Sequence, residues 1–138
     1  MEKVVVDASA LIKWFVNEEQ SLEMRKVRDM HILGRLKICV PSLIFLELGN
    51  AFRFSNATEK DVIDALDALN MIGLEVKQID ELTKPAIKIA FTLGLTLYDA
   101  LYVALAEQLD SYIITYDKQI LNKYDKAIKG SDFVNSRI

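Results

Sequence analysis

Apolar positions along this chain change their period repeatedly, and the changes mark out alternating elements. Val4-Val5-Val6 is a short β-branched run and predicts a first strand. Ala8 to Phe15 and Ser21 to Leu33 carry helical spacing; in the second, Leu22, Val27 and Met30 predict an apolar face between Arg and Lys positions. Ile38 to Val40 predicts a second strand, and Pro41-Ser42 then opens a helix with Ser42 as its N-cap. Thr58 opens another helix, because Thr-Glu-Lys-Asp precedes Val62, Ile63, Leu66 and Leu69, and the opening fits a capping box. Glu75 to Ile79 alternates as a strand, Leu82 to Leu93 and Leu97 to Leu109 read as helices, Tyr112 to Thr115 as a strand and Lys118 to Tyr124 as a short helix. A last short strand is expected near Ala127 to Lys129.

Strands alternating with helices predict an α/β domain with a mostly parallel sheet. Its strands are short and almost wholly apolar, as required when helices cover both faces. In such folds the working crevice lies beyond the carboxyl ends of the strands. The 138 residues suit a single domain, 1–138, with 51% apolar residues and only five Gly and two Pro. Lys plus Arg number 17 against 20 Asp plus Glu, a formal charge of −3, so any contact with nucleic acid must be local rather than a general basic surface. Cys39 is the only cysteine, read as a buried strand thiol, which excludes an intrachain disulfide and a Cys-based zinc site. His31 is the only histidine and lies in a charged helical run, where a solvated surface position is expected. No secretory leader is recognisable in Met1-Glu2-Lys3 and the run that Asp7 interrupts, so the cytoplasm is the expected compartment. Ile89 to Ala106 carries one charge, Asp99, but falls short of the ~20 residues of a membrane helix and reads as a buried segment.

The informative acids are those set inside apolar stretches. Asp7 is the only charge between Lys3 and Lys13, Glu47 the only one between Lys37 and Arg53, and Asp99 the only one between Lys88 and Glu107. Asp117 is the first charge after Asp110 and follows an apolar strand. An ionised carboxylate buried without a partner costs several kcal/mol or takes up a proton. Asp7 and Asp117 also suit N-caps, and Thr96-Leu97-Tyr98-Asp99 suits a capping box. Glu47 has no capping role on a helix that is apolar nearly all round, and Asn50 shares its side. If all four meet at one end of the sheet, either some protonate or a cation gathers them. An oxygen-only donor set calls for a hard cation, Mg²⁺ or Mn²⁺ ahead of Ca²⁺, and Mg²⁺ held by carboxylates suits phosphate-ester chemistry.

At these residues the chain resembles PIN-domain ribonucleases, and within them the VapC-type toxins of type II toxin–antitoxin pairs. The segments that carry the resemblance are Val4 to Leu11; Pro41 to Asn50, with Glu47 and Asn50; Gly94 to Ala106 around Asp99; and Ile114-Thr115-Tyr116-Asp117. The resemblance implies a three-layer α/β/α fold around a parallel sheet of four or five strands, ordered 3-2-1-4-5. It implies a Mg²⁺- or Mn²⁺-dependent endoribonuclease with Asp7 and Asp99 as principal metal ligands. Glu47 would hold the ion directly or through water, and Asp117 would complete the acidic pocket. Ser9, Asn50 and Thr115 would position them. It further implies a homodimer and a small antitoxin whose tail enters the active groove. Some family members carry a further acid shortly after the third aspartate; Ala100, Leu101 and Tyr102 stand there in this chain.

An RNA substrate calls for cations at the rim. Lys13 and Arg53 are the candidates, with Arg25-Lys26 and Arg28 as a phosphate track and Tyr98 or Trp14 as stacking surfaces; solvated charges and a packed Trp14 are the plainer alternatives. Two other functions compete: a catalytically silent PIN-like module that binds RNA or protein, and a flavodoxin-like domain phosphorylated on an acid. The second expects an aspartate at the end of the third strand, where only Asp80 is near.

Overall fold

The computed structural model describes residues 1–53 and 55–137. At its centre runs β1 (Glu2–Val6), in which Val4, Val5 and Val6 have no exposed surface. A strand of that kind needs neighbours on both edges and cover on both faces. β2 (Leu36–Pro41) pairs on one edge, with Val4 beside Ile38 and Val5 beside Cys39. The third strand in sequence, β3 (Glu75–Lys77), pairs with β2, while β4 (Ile113–Ile114) takes the other edge of β1, with Val6 beside Ile114. β5 (Ala127–Ile128) pairs with β4, so the sheet is fully parallel in the order β3-β2-β1-β4-β5. This is the order the resemblance implied.

Right-handed crossovers set the layers. The chain first moves outward from β1 through β2 to β3, by way of α1 (Ala8–Leu11), α2 (Ser21–Ile32), α3 (Ile44–Arg53) and α4 (Glu59–Met71). It then returns across the sheet to β4 through α5 (Ile79–Leu93) and α6 (Leu97–Leu109), which therefore cover the opposite face. α6 packs on β1 and β2, and its run from Ala100 to Ala106 is buried throughout. Gly94, at φ +67°, ends α5 and lets the chain bend by 109° into α6. No single helix among the described residues is long and apolar enough to cross a membrane; Ile89 to Ala106 spans the bend between α5 and α6, with Ala100 to Ala106 buried and Phe91, Leu97 and Tyr98 exposed.

Thr58 caps α4 through the full reciprocal box with Asp61, as its sequence predicts. Other expectations are corrected. The Ala8–Phe15 helix is α1 followed by a 3-10 turn over Ile12–Trp14. Ser42 does not cap α3, which begins two residues later; its Oγ instead accepts from Ile79 N–H (3.1 Å), so α5 starts at Ile79 and β3 stops at Lys77. The buried stripe of α2 is Met24, Val27 and His31, leaving Leu22 exposed. His31 is therefore not a solvated surface group. Ile38 N–H donates to its Nδ1 (3.0 Å), which leaves Nε2 as the protonated nitrogen facing Ile72 O (3.0 Å). A neutral imidazole thus ties α2 to β2 and to the end of α4. Cys39 is buried as expected, and its thiol donates to Glu75 Oε2 (3.1 Å).

Two further helices close the chain, α7 (Lys118–Lys123) and α8 (Gly130–Asn135), the latter unforeseen. Lys129, its N-cap, makes no side-chain cap bond. Gly130 N–H donates instead to Tyr116 Oη (3.0 Å) and Ser131 N–H to Gln20 Oε1 (3.2 Å), so the capping groups come from distant parts of the chain. Phe133 and Val134 anchor α8 in the core against α2.

Candidate active site at the carboxyl end of the central strands

Asp7 follows the last residue of β1 and starts α1. Its Oδ1 accepts from Ala10 N–H (3.1 Å), so it is a helix cap, yet it is also nearly fully buried. Ser9 Oγ donates to Oδ1 (2.7 Å) and Thr115 Oγ1 to Oδ2 (2.5 Å). Thr115 lies just past β4, the strand beside β1, which explains the reach between residues so far apart in sequence. Tyr116 N–H donates to Ser9 Oγ (2.9 Å), and Asp117 N–H to Thr115 Oγ1 (3.0 Å). The two hydroxyls therefore clamp Asp7 to the segment that carries Asp117. Burial pushes the Asp7 carboxyl up from 3.8 to about 6; its hydrogen bonds from Ser9, Thr115 and Ala10 oppose the rise, and the charge on Asp99 adds to it.

Asp99 stands in the first turn of α6, where Thr96 Oγ1 accepts from its N–H (3.1 Å). Burial raises its pKa, the charge on Asp117 raises it further, and the Thr96 side chain works the other way. Glu47, in the first turn of α3, accepts from Tyr102 Oη at 2.6 Å. Burial raises its pKa, the bond from Tyr102 lowers it, and Asp99 again raises it. Asp117 caps α7, with Oδ1 accepting from Ile120 N–H (3.0 Å). Asp99 is thus the hub, within charge range of Asp7, Glu47 and Asp117.

The four acids meet electrostatically without closing into a cage: among the described residues no three Asp, Glu, His or Cys side chains form a ready-made metal cluster. Nor do the ion pairs among the described residues include any of the four. Carboxylates that lack a basic partner, with burial raising the pKa of Asp7, Glu47 and Asp99, form an oxygen-only donor set that a hard divalent cation would relieve. The residues present therefore fit Mg²⁺ or Mn²⁺.

The rim residues divide. Asn50 and Arg53 are exposed and line, with Glu47, Leu46 and Tyr98, a groove of about 710 Å³ between α3 and α4. Lys13 is committed inward: its Nζ pairs with Glu18 (3.0 Å), donates to Glu19 O (2.9 Å) and sits 4.6 Å from the centre of the Tyr116 ring. Arg25 is no phosphate track, since it donates to Trp14 O, Val16 O and Asn17 Oδ1, and Arg28 pairs with Asp29. Trp14 is buried, whereas Tyr98 is 63% exposed beside the groove. Sequence reasoning missed the part played by Tyr102. The signal was its place three residues after Asp99, one turn further along an otherwise apolar helix.

A fold of this order with acids gathered past β1 and β4 defines the class. The PIN domain family model matches residues 4–127, and the chain belongs to that family. It is 31% identical over 132 residues to Ribonuclease VapC3 of Pyrobaculum aerophilum, covering 91% of this chain and 98% of that protein. The crystal structure of PAE2754 from the same organism superposes with a TM-score of 0.72 at 25% identity, covering 98% of this chain and 88% of that one. A toxin–antitoxin complex from Klebsiella pneumoniae shares the fold, at a TM-score of 0.68 and 14% identity over 92% of this chain and 97% of that one.

Proposed function

We propose that this chain, as one domain over residues 1–138, is a Mg²⁺- or Mn²⁺-dependent endoribonuclease acting in the cytoplasm as the toxin of a toxin–antitoxin pair. The observation that carries the reading is the position of Asp99, whose charge reaches Asp7, Glu47 and Asp117 beyond the carboxyl ends of β1 and β4. The identity to a VapC ribonuclease along nearly the whole chain supports the substrate class.

Asp7 and Asp99 would hold the metal ion, with Glu47 and Asp117 completing the donor set. Bound there, it would polarise a phosphoryl oxygen and lower the pKa of an attacking water. The chain's own work is orientation. Ser9 and Thr115 each hold one oxygen of the Asp7 carboxylate, past the carboxyl ends of β1 and β4. Tyr102 holds one oxygen of Glu47, and the α7 backbone holds one oxygen of Asp117. Both oxygens of Asp7 and one oxygen each of Glu47 and Asp117 are tied, so each carboxylate is kept from swinging away from its neighbours. Arg53 and Asn50 at the groove offer RNA a cation and an amide, and Lys13 would join them on leaving Glu18. A small antitoxin is the proposed partner for the groove, and the toxin is proposed to work as a homodimer.

Asp99→Asn tests the reading. The variant is expected to fold, melting at or above the wild-type temperature without metal, and to lose Mg²⁺-dependent cleavage of RNA. Cleavage at the wild-type rate would refute it. The open arrangement of the four acids favours a second reading, a silent module that binds RNA or protein. Calorimetry that detects no Mn²⁺ binding to the wild type would select that one.

A further inference from the structure

Tyr116 sits between two residues of the site, Thr115 and Asp117, yet its hydroxyl bonds to none of the acids. Its hydroxyl donates to Gln20 Oε1 (2.6 Å) and accepts from Gly130 N–H (3.0 Å), while Gln20 Oε1 also accepts from Ser131 N–H (3.2 Å). Gln20 lies in the left-handed region at φ +67°, an uncommon conformation for a residue with a side chain, and these bonds help to hold it there. Gly130 has no room for a side chain, since a Cβ would stand 2.7 Å from both Tyr116 Oη and Met24 Sδ. On its main-chain side Tyr116 donates its N–H to Ser9 Oγ, which in turn donates to Asp7 Oδ1. One residue thus joins the start of α2, the first turn of α8 and the hydroxyl that orients Asp7.

We infer that Tyr116 is a positioning residue of the acidic site, which it holds in register by latching the Thr115–Asp117 segment to Gln20 and Gly130. The inference rests on the nuclease reading for its kinetic consequence but not for its structural one. α8 and the 17–20 loop, remote from the acids in sequence and carrying no site residue, become part of what sets the Asp7–Asp117 geometry. Loss of the hydroxyl frees the segment to drift. The Ser9 and Thr115 bonds then loosen, and the two carboxylates lose their mutual placement. Contacts with RNA are untouched.

Tyr116→Phe keeps the ring under Lys13 and deletes the latch. It is expected to lower kcat by about 10–100-fold, the range for groups that orient ligating side chains, with KM within about twofold of wild type. Mn²⁺ affinity measured by calorimetry is expected to fall with it. Gln20→Met is expected to reproduce the defect, while Gln20→Glu, which retains an acceptor facing the α8 N–H groups, restores kcat. Amide hydrogen exchange gives a readout independent of any activity: protection at Tyr116 and Asp117 is expected to drop at least about tenfold in Tyr116→Phe, with β1 amides unchanged. Wild-type kcat in Tyr116→Phe, or a fall in melting temperature with unaltered exchange at these two amides, overturns the inference. Should the wild type cut no RNA, the nuclease reading fails, and the exchange comparison alone decides the latch.

Discussion

Asp7→Asn in the absence of metal is the sharpest perturbation of the acidic site. The Asp7 carboxyl rises on folding from 3.8 to about 6, chiefly because it is buried. A carboxyl raised on folding binds its proton more tightly in the native state, so its contribution to stability is complete below the unfolded value and is lost as pH climbs through the folded one. Integrated over that window, the loss is about 3 kcal/mol at 1.36 kcal/mol per pKa unit. Asn resembles the protonated acid in shape and charge, so whatever its hydrogen bonds cost, that cost does not vary with pH. The gap between variant and wild type reports the Asp7 linkage together with its coupling to Asp99. Between pH 4.5 and pH 8 the gap is expected to move by about 2 kcal/mol in favour of Asp7→Asn, or about 6 °C in melting temperature for a domain of this size. Urea or thermal unfolding in chelator at both pH values measures it. Mg²⁺ at ten times its Kd should then restore about 1.4 kcal/mol to the wild type at pH 8 and little to the variant, because the ion binds the ionised carboxylate. A gap that stays flat with pH refutes the argument, since it would mean that Asp7 is not a strained, unpaired acid.

His31→Ala leaves the Ile38 N–H without its acceptor and Ile72 O without its donor, and urea unfolding is expected to show a loss of about 2–4 kcal/mol. A loss below about 0.5 kcal/mol would mean that the imidazole bridge is replaced by water. Tyr102→Phe removes the donor that lowers the Glu47 carboxyl, so Glu47 should titrate higher still and Mn²⁺ affinity near neutral pH should fall by about tenfold; unchanged affinity would detach Glu47 from the ion. Gly130→Ala forces Tyr116 Oη or the fully buried Met24 to move and is expected to cost about 1–3 kcal/mol in thermal unfolding. A neutral result there would show that the α8 turn shifts freely.

The sheet and most helices were legible because their signals are local. β1 ends in three consecutive valines, the Thr58 box lies within four residues, and α6 runs from Leu97 to Leu109 as its apolar pattern predicts. The misses share one cause. Ser42 caps nothing nearby because its hydroxyl serves Ile79 across the sheet edge. His31 is buried in a charged stretch because two backbone groups of β2 and α4 need it. α8 carries no capping residue of its own because Tyr116 and Gln20 cap it from a distance. A side chain whose partner is tens of residues away leaves no period and no local motif to read.

The acids escaped that limit for a reason that separates them from Ser42 and His31. A buried hydroxyl or imidazole is satisfied by one or two hydrogen bonds, which any part of the fold can supply, so its position in the sequence says little about where its partner lies. A carboxylate buried in an apolar stretch with no basic residue around it presents a larger debt that a hydrogen bond does not clear. Asp7 has three donors and is still raised to about 6. A proton or a counter-charge meets that need, and since this chain offers none of the four acids an ion pair among its described residues, keeping them ionised calls for charge from outside it. The metal proposal therefore follows from what the fold withholds from Asp7, Glu47 and Asp99. That is why three acids isolated along the sequence pointed to one place, while Tyr116, which steadies them, became visible only in three dimensions.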